Sequence, residues 1–399
     1  MGLRRLNLGR LAWGSAVKTV ARAACLLPGL DSEYHIEERL SGPWPSAGPY
    51  LWLHGASLGE CRMLLGLAHA LKEDLTDCPK ILITSQKVEV VSYLQDSAAG
   101  VAEVAIAPAD IPSALNAFIG AVQPLGLVLA ENELWPGYLS SMLRISTRPP
   151  VALVSGRFHH AVPGMDYAAI GFVSMQTGSD LSRFFSVSAR ASNSRMMIGG
   201  DWKLLPWVRL NKAVSAPENP TVDTVFVSMH IQEMPSLGRM ILSSIKRGES
   251  VVLMPRRLSE VAEFRKALQN QELAVVDWPQ VQNGAVSIVS EFGKTKEVLA
   301  VSKTAVVGGS FARGLGVHDF WEPLQSGVST CVGPYAEGQK EAVATLVREG
   351  VIAQLQSADE YSRRNKPDIR LVRTFLAHES AKISDSYQQL LVFLKNLLK

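Results

Sequence analysis

From Tyr50 onward the chain alternates short, wholly apolar runs with longer stretches in which apolar residues recur every three or four positions. That rhythm is expected of strands buried on both faces, each followed by a helix packed on the sheet. Tyr50-Leu-Trp-Leu-His54 is the first such run, and it passes through Gly55-Ala-Ser-Leu-Gly-Glu60 into a helical pattern near Arg62–Leu75. Lys80–Thr84, Val101–Ala107, Leu125–Ala130 and Pro150–Ser155 read as further strands, with helices over Val88–Gln95 and Ile111–Val122. A less regular stretch follows to about Arg195. The rhythm breaks at Gly199-Gly-Asp-Trp-Lys-Leu-Leu-Pro206, with Pro217 and Pro220 beyond it, which reads as a connection between domains. It then restarts, with strands at Thr224–Ser228, Ser250–Met254, Leu273–Val276 and Thr304–Val307. The expected fold class is α/β, two doubly wound Rossmann-like domains facing each other across a cleft. The boundaries read as a segment over 1–30, a first domain over 31–205, a second over 206–378, and an amphipathic helix over 379–399 able to return to the first domain.

Length supports the division, because 399 residues exceed one ordinary core and suit two. Apolar residues make up 47% and charged residues 19%, so neither half reads as disordered. A formal net charge of +3 argues against a nucleic-acid partner, which usually demands a dense basic face. Cys25, Cys61, Cys78 and Cys331 are scattered, which fits unpaired thiols in a reducing compartment better than a disulfide framework or a zinc site.

The N-terminus departs from this composition. Arg4, Arg5, Arg10, Lys18 and Arg22 interrupt the apolar residues, and only seven uncharged residues separate Arg10 from Lys18. A membrane span needs about 20, and a secretory signal keeps its charges ahead of one apolar core. Leu11, Val17, Val20, Ala21, Ala24 and Leu27 can share one helical face, so the segment reads as an interfacial membrane helix or as a helix packed on the first domain.

Three loops carry candidate chemistry. In His54-Gly-Ala-Ser-Leu-Gly-Glu60 a strand ends in small residues and hands over to a helix, with Glu60 near the helix start. A carboxylate there can take a proton from an attacking hydroxyl; on the bare motif the favoured reading is a helix-start Glu that complements the helix dipole. In Leu129-Ala-Glu-Asn-Glu-Leu-Trp-Pro-Gly137, Glu131 and Glu133 follow an apolar strand, where acids serve no packing purpose unless they cap the next helix. In Val306-Val-Gly-Gly-Ser310, continuing to His318-Asp-Phe-Trp-Glu-Pro323, glycines permit a close backbone approach. A helix expected to start near His318 would offer N–H groups to a phosphate, with Glu322 in its first turns to accept from ribose hydroxyls. No Asp-x-Asp pair or metal-ligand cluster stands out.

These segments resemble, in order, those of the Kdo transferases, GT-B enzymes that move 3-deoxy-D-manno-octulosonic acid (Kdo) from its CMP-activated form to a lipid A precursor. Carrying the resemblance are Glu38-Arg39-Leu40, Leu51–Glu60, Glu131–Pro136, Ser155-Gly-Arg157, Gly199–Lys203, Pro255-Arg256, Gly308-Gly-Ser310, His318–Pro323 and Gly333-Pro334. The resemblance implies that Glu60 is the catalytic base and that Glu131 and Glu133 are acids near the acceptor. Ser57 and Gly59 fall on the same acceptor side. It puts Arg256, Gly308, Gly309, Ser310, His318 and Glu322 on the donor nucleotide. It further implies an inverting, metal-independent glycosyltransferase without a cofactor, working in lipopolysaccharide biosynthesis on the cytoplasmic face of the bacterial inner membrane, peripheral or anchored by its N-terminus. The donor side departs from the family pattern at Arg257, Val317, Asp319 and Lys294. Those departures keep two rival readings in view: a GT-B transferase with another nucleotide sugar, and a non-catalytic relative that keeps the fold.

Overall fold

Seven parallel strands form each of two sheets in the computed structural model, which describes residues 35–46, 48–188, 194–211, 213–363 and 367–395. The basic amphipathic segment expected over 1–30 lies outside the described residues. The first unit takes the described residues up to Leu210 together with Glu379 onward, and the second takes Asn211–His378.

In the first unit the strands are β1 (Tyr50–His54), β2 (Lys80–Ser85), β3 (Glu103–Ile106), β4 (Pro124–Ala130), β5 (Val151–Gly156), β6 (Phe172–Met175) and β7 (Arg195–Ile198). Helices α1 (Ile36–Ser41), α2 (Leu58–Asp74), α3 (Val88–Gln95), α4 (Pro112–Val122), α5 (Pro136–Met142), α6 (Gly178–Val187) and α7 (Leu205–Arg209) accompany them. Spatial order is β3-β2-β1-β4-β5-β6-β7, so the winding direction reverses between β1 and β4. His54 pairs with Thr84 on one side and Leu129 on the other. The loops after β1 and β4 therefore emerge side by side at the carboxyl edge, where doubly wound sheets bind ligands.

Beneath them Trp52 packs 4.6 Å from Phe118 and 4.8 Å from Tyr138, ring centre to ring centre, in a core with Leu127, Leu129 and Leu153. Full burial of each such side chain stabilises the unit by about 2–3 kcal/mol. This packing fixes the ends of β1 and β4 from below.

The second unit repeats the plan with β8 (Val222–Met229), β9 (Val251–Pro255), β10 (Ala274–Asp277), β11 (Ala285–Ile288), β12 (Ser302–Val307), β13 (Ser329–Val332) and β14 (Ala353–Gln354). Its helices are α8 (Met234–Lys246), α9 (Val261–Gln269), α10 (Thr295–Leu299), α11 (Trp321–Gln325) and α12 (Lys340–Arg348). The order β10-β11-β9-β8-β12-β13-β14 reverses between β8 and β12. Phe226, Leu237, Leu253, Phe264, Ile288 and Val306 form the core.

The last helix, α13 (Ile369–Lys395), begins ten residues earlier than the sequence pattern suggests, so the division between units falls inside it. Its earlier turns serve the second unit, where Phe375 stacks on Trp321 at 6.4 Å. Its later turns bury Ile383, Tyr387, Leu390, Leu391 and Leu394 in the first. There Ser386 Oγ lies 2.6 Å from Ser174 Oγ, and Gly199 passes so close that a Cβ would stand 2.0 Å from Ser174 Oγ and 2.3 Å from Ser386 Oγ.

Candidate active site

In the first unit, α2 starts at Leu58, four residues before the apolar periodicity becomes visible. The cause is a capping box: the Glu60 N–H donates to Ser57 Oγ at 3.3 Å, while Glu60 Oε2 accepts from Ala56 N at 2.7 Å and Ser57 N at 3.2 Å. Both of those backbone bonds fall on one oxygen of a side chain only 9% exposed. Glu60 is thereby fixed at the carboxyl end of β1, and the Ser57-x-x-Glu60 spacing is the sequence signal for it.

Glu131 caps β4 and is 1% exposed. Its Oε1 lies 2.6 Å from Lys203 Nζ and its Oε2 is bound by Arg157. The Arg157 N–H also donates to the Glu131 carbonyl at 3.2 Å. Asp201 stands behind Lys203, accepting from the Lys203 N–H at 3.1 Å and from Ser155 Oγ at 3.4 Å. Ser155 Oγ in turn accepts from Trp202 N and Gln176 Nε2, each at 3.1 Å. Burial opposes the Lys203 charge, yet Asp201 and Glu131 outweigh it and hold the ammonium protonated above its usual range. Burial raises the Glu131 carboxyl, against the opposite pull of Lys203 and Arg157.

Lys203 also reaches the start of α2. A Cβ on Gly59 would stand 3.5 Å from Lys203 Cε and 4.0 Å from Nζ, so the small residue makes room for the cation. Glu60, Glu131, Lys203, Arg157 and Asp201 are one electrostatic cluster at the switch point. Glu131 and Ser155 hold φ of 46° and 53°, a left-handed backbone that costs about 1–3 kcal/mol each outside glycine and collects at functional sites.

Glu133 stands apart from that cluster. Its Oε2 accepts from Trp135 Nε1 at 2.8 Å and lies 3.4 Å from Nε2 of fully buried His54. Thr84 Oγ1 accepts from Trp52 Nε1 at 2.8 Å and lies 2.9 Å from His54 Nδ1. Because that oxygen already accepts from the indole, its own proton is available to Nδ1, which leaves the His54 proton on Nε2, facing Glu133.

In the second unit the loops after β8 and β12 meet. Glu233, 1% exposed, takes four backbone N–H bonds: His230 and Gly309 on Oε2 at 2.9 and 3.0 Å, Phe311 and Ser310 on Oε1 at 2.9 and 3.1 Å. Ser310 is fully buried, its Oγ donating to Val307 O at 2.6 Å and accepting from Gly333 N at 2.8 Å. Gly308 lies too close to β8 for a side chain: a Cβ would stand 2.3 Å from Ser228 O. The Gly308–Ser310 segment is therefore the foundation of this edge of the unit.

His318 donates its N–H to Gly308 O at 3.0 Å, and its Nε2 lies 2.7 Å from His230 Nε2. Burial, joined by Arg256 and His230, lowers its pKa to about 3. Arg256, just past β9, is exposed and has its N–H tied to Met229 O at 2.7 Å. The helix expected near His318 starts instead at Trp321, because Asp319 Oδ1 captures the Trp321 N–H at 2.8 Å. It runs for five residues, and half-buried Glu322 lies in its first turn.

Sequence reasoning on the bare loops misses Lys203, Arg157, Asp201, His54 and Glu233. The signals for Arg157 and Lys203 are the Ser155-Gly-Arg157 and Gly199–Lys203 segments. His54 acts through Thr84 and Glu133, distant in sequence, while Glu233 and Asp201 each join a near backbone N–H to partners far along the chain.

Comparison with known proteins fits this geometry. Residues 34–203 match the family model described as 3-deoxy-D-manno-octulosonic-acid transferase (kdotransferase). A 3-deoxy-D-manno-octulosonic acid transferase of Chlamydia pneumoniae is 24% identical over 331 residues, 77% of this chain and 74% of the relative. One from Aquifex aeolicus is 24% identical over 313 residues, 78% of this chain and 83% of the relative. A Polygonum tinctorium UDP-glucosyltransferase structure, 11% identical, covers 89% of this chain and 99% of its own at a TM-score of 0.55, which shows the shared GT-B fold. The family model thus lies on the unit that holds Glu60, Glu131 and Lys203, the relatives match across most of both chains, and the protein is similar to the Kdo transferases over most of its length.

Proposed function

We propose that this glycosyltransferase moves Kdo from CMP-Kdo to a lipid A precursor in lipopolysaccharide biosynthesis. The observation that carries the reading is the pairing, at one switch point, of a carboxylate fixed by a capping box with a second carboxylate held between two cations. A sugar hydroxyl of the acceptor attacks the anomeric carbon of the donor; the C–O bond to CMP breaks as the new glycosidic bond forms. Glu60 takes the hydroxyl proton, and CMP leaves with the electron pair of the broken bond. A single displacement inverts the anomeric centre.

Glu131 positions Lys203 and Arg157, whose cationic groups suit the anionic donor sugar or acceptor phosphate. Glu133, oriented by Trp135 and His54, is offered to acceptor hydroxyls, with Ser57 and Gly59 on the same side. On the donor side, Arg256 and His318 meet the nucleotide phosphate, and Glu322 accepts from the ribose. The acceptor stays in the bilayer, so the enzyme works at the cytoplasmic face of the inner membrane as a peripheral protein.

Incubation with CMP-Kdo and a tetraacyl lipid A precursor tests the reading: a Kdo-bearing product is expected, and none is expected from UDP-sugars. CMP should raise the melting temperature, and Glu322→Ala should remove the rise. A rise with UDP and none with CMP overturns the assigned donor in favour of another nucleotide sugar.

A further inference from the structure

Three successive amides, Gly309, Ser310 and Phe311, converge on one point, and Gly309 holds φ of 74°. A run of N–H groups curled this way, in a glycine loop at a switch point, is the backbone arrangement that holds phosphates. Here the point is filled by a carboxylate of the chain itself. We propose that Glu233 is a positioning residue for the donor step: it is the resident anion of the Gly308–Phe311 loop, and the donor phosphate is met by side chains at the rim instead of by the loop amides. The proposal rests on the reading above that the second unit binds the donor nucleotide.

The bonding is saturated. Each Glu233 oxygen takes two N–H bonds, all between 2.9 and 3.1 Å, and the side chain is closed from solvent. A phosphate brought to the same amides would compete with these charge-assisted bonds and face a buried like charge. Room is equally restricted, because a Cβ on Gly309 would stand 2.1 Å from Gly316 O and 3.1 Å from His318 Cδ2.

The positioning role follows from what the loop carries. One carboxylate ties the loop after β8, through His230 N, to the loop after β12, through Gly309–Phe311. His318 hangs from Gly308 O by its N–H and meets His230 across 2.7 Å. Arg256 hangs from Met229 O, one residue before His230. Glu233 therefore sets the frame on which His318 and Arg256 are mounted.

The test compares amide hydrogen exchange and CMP affinity in the full-length wild type and in Glu233→Gln, whose side-chain NH2 would confront two of the four donors. In nucleotide-free wild type the Gly309, Ser310 and Phe311 amides should already be protected, with no further gain on adding CMP. In Glu233→Gln at least two of the four amides of His230, Gly309, Ser310 and Phe311 should exchange about tenfold faster or more, whichever way the carboxamide turns. The donor KM should rise about tenfold with the acceptor KM unchanged, a split that general loosening of the fold does not produce. Glu233→Asp, which keeps both oxygens one methylene short, should show partial protection and an intermediate donor KM.

Amides that exchange freely in the nucleotide-free wild type and become protected only with CMP would make the loop a phosphate cradle and overturn the proposal. Tighter CMP binding in Glu233→Gln, or a wild-type donor KM in an Asp variant with unprotected amides, would do the same. Should CMP leave the wild-type melting temperature unmoved, the donor reading fails, while the exchange comparison between wild type and variants still decides whether Glu233 holds the loop.

Discussion

Glu60 does two things with one side chain: it accepts two backbone N–H bonds at the start of α2 and stands as the proposed base. A glutamine in its place can still accept both bonds through its carbonyl oxygen but cannot take a proton. Glu60→Gln should therefore stay folded, losing about 1 kcal/mol or less, while turnover falls about 10²-fold or more. Near-wild-type turnover in a folded Gln variant would assign the base elsewhere. His318 supplies a pH dependence. Its imidazole titrates near 6.5 in the unfolded chain but near 3 when folded, so between those values the unfolded state binds more protons and stability falls as pH drops. From pH 7 to pH 5 the loss is up to about 2 kcal/mol, and His318→Gln should flatten it, read as urea midpoints at the two pH values. An equal fall in wild type and variant would remove His318 as the cause. Glu60 and Glu131 are legible in the sequence because an acid next to an apolar strand end is conspicuous. Glu233 is not, since its worth lies in three amides more than 70 residues away.

The strands at the centre of each sheet are legible because burial on both faces makes them unbroken apolar runs, and Tyr50–His54 is read without error. The central ones carry the candidate loops, which is why so much of the site follows from pattern alone. β6, β7, β11, β13 and β14 are missed for a physical reason. Each has four residues or fewer, several carry Ser, Thr or Arg, and their pairing comes from neighbours already placed. The early turns of α13 escape because Arg370, Arg373 and Thr374 dilute the apolar stripe. The contact of α13 with Gly199 can be tested. Gly199→Ala must push aside Ser174 or Ser386 and should destabilise the protein by about 1–3 kcal/mol. Gly120→Ala, in α4 with open space around it, should instead gain about 0.5–1 kcal/mol. Equal denaturation midpoints for the two variants would refute the close approach.

The proposed acceptor is held in a bilayer, so on that reading the protein has to reach the membrane surface; no helix among the described residues is long and apolar enough to cross it. The basic segment from Arg4 to Arg22 is the sequence feature suited to the task. Five cations there could each gain on the order of 1 kcal/mol near anionic lipid. Removing residues 1–27 should leave a folded protein that no longer pellets with anionic liposomes, and high salt should partly reproduce the loss. Undiminished binding by the truncated form would place the anchor elsewhere. The course of α13 has another outcome, one of timing. Ile383, Tyr387, Leu390, Leu391 and Leu394 complete the first unit, yet in the chain they follow the whole of the second. A ribosome releases the second unit's sequence before it releases the helix that closes the first. The unit begun first is finished last, and a nascent chain stalled before Glu379 would expose an unsealed hydrophobic face to any chaperone waiting at the exit tunnel.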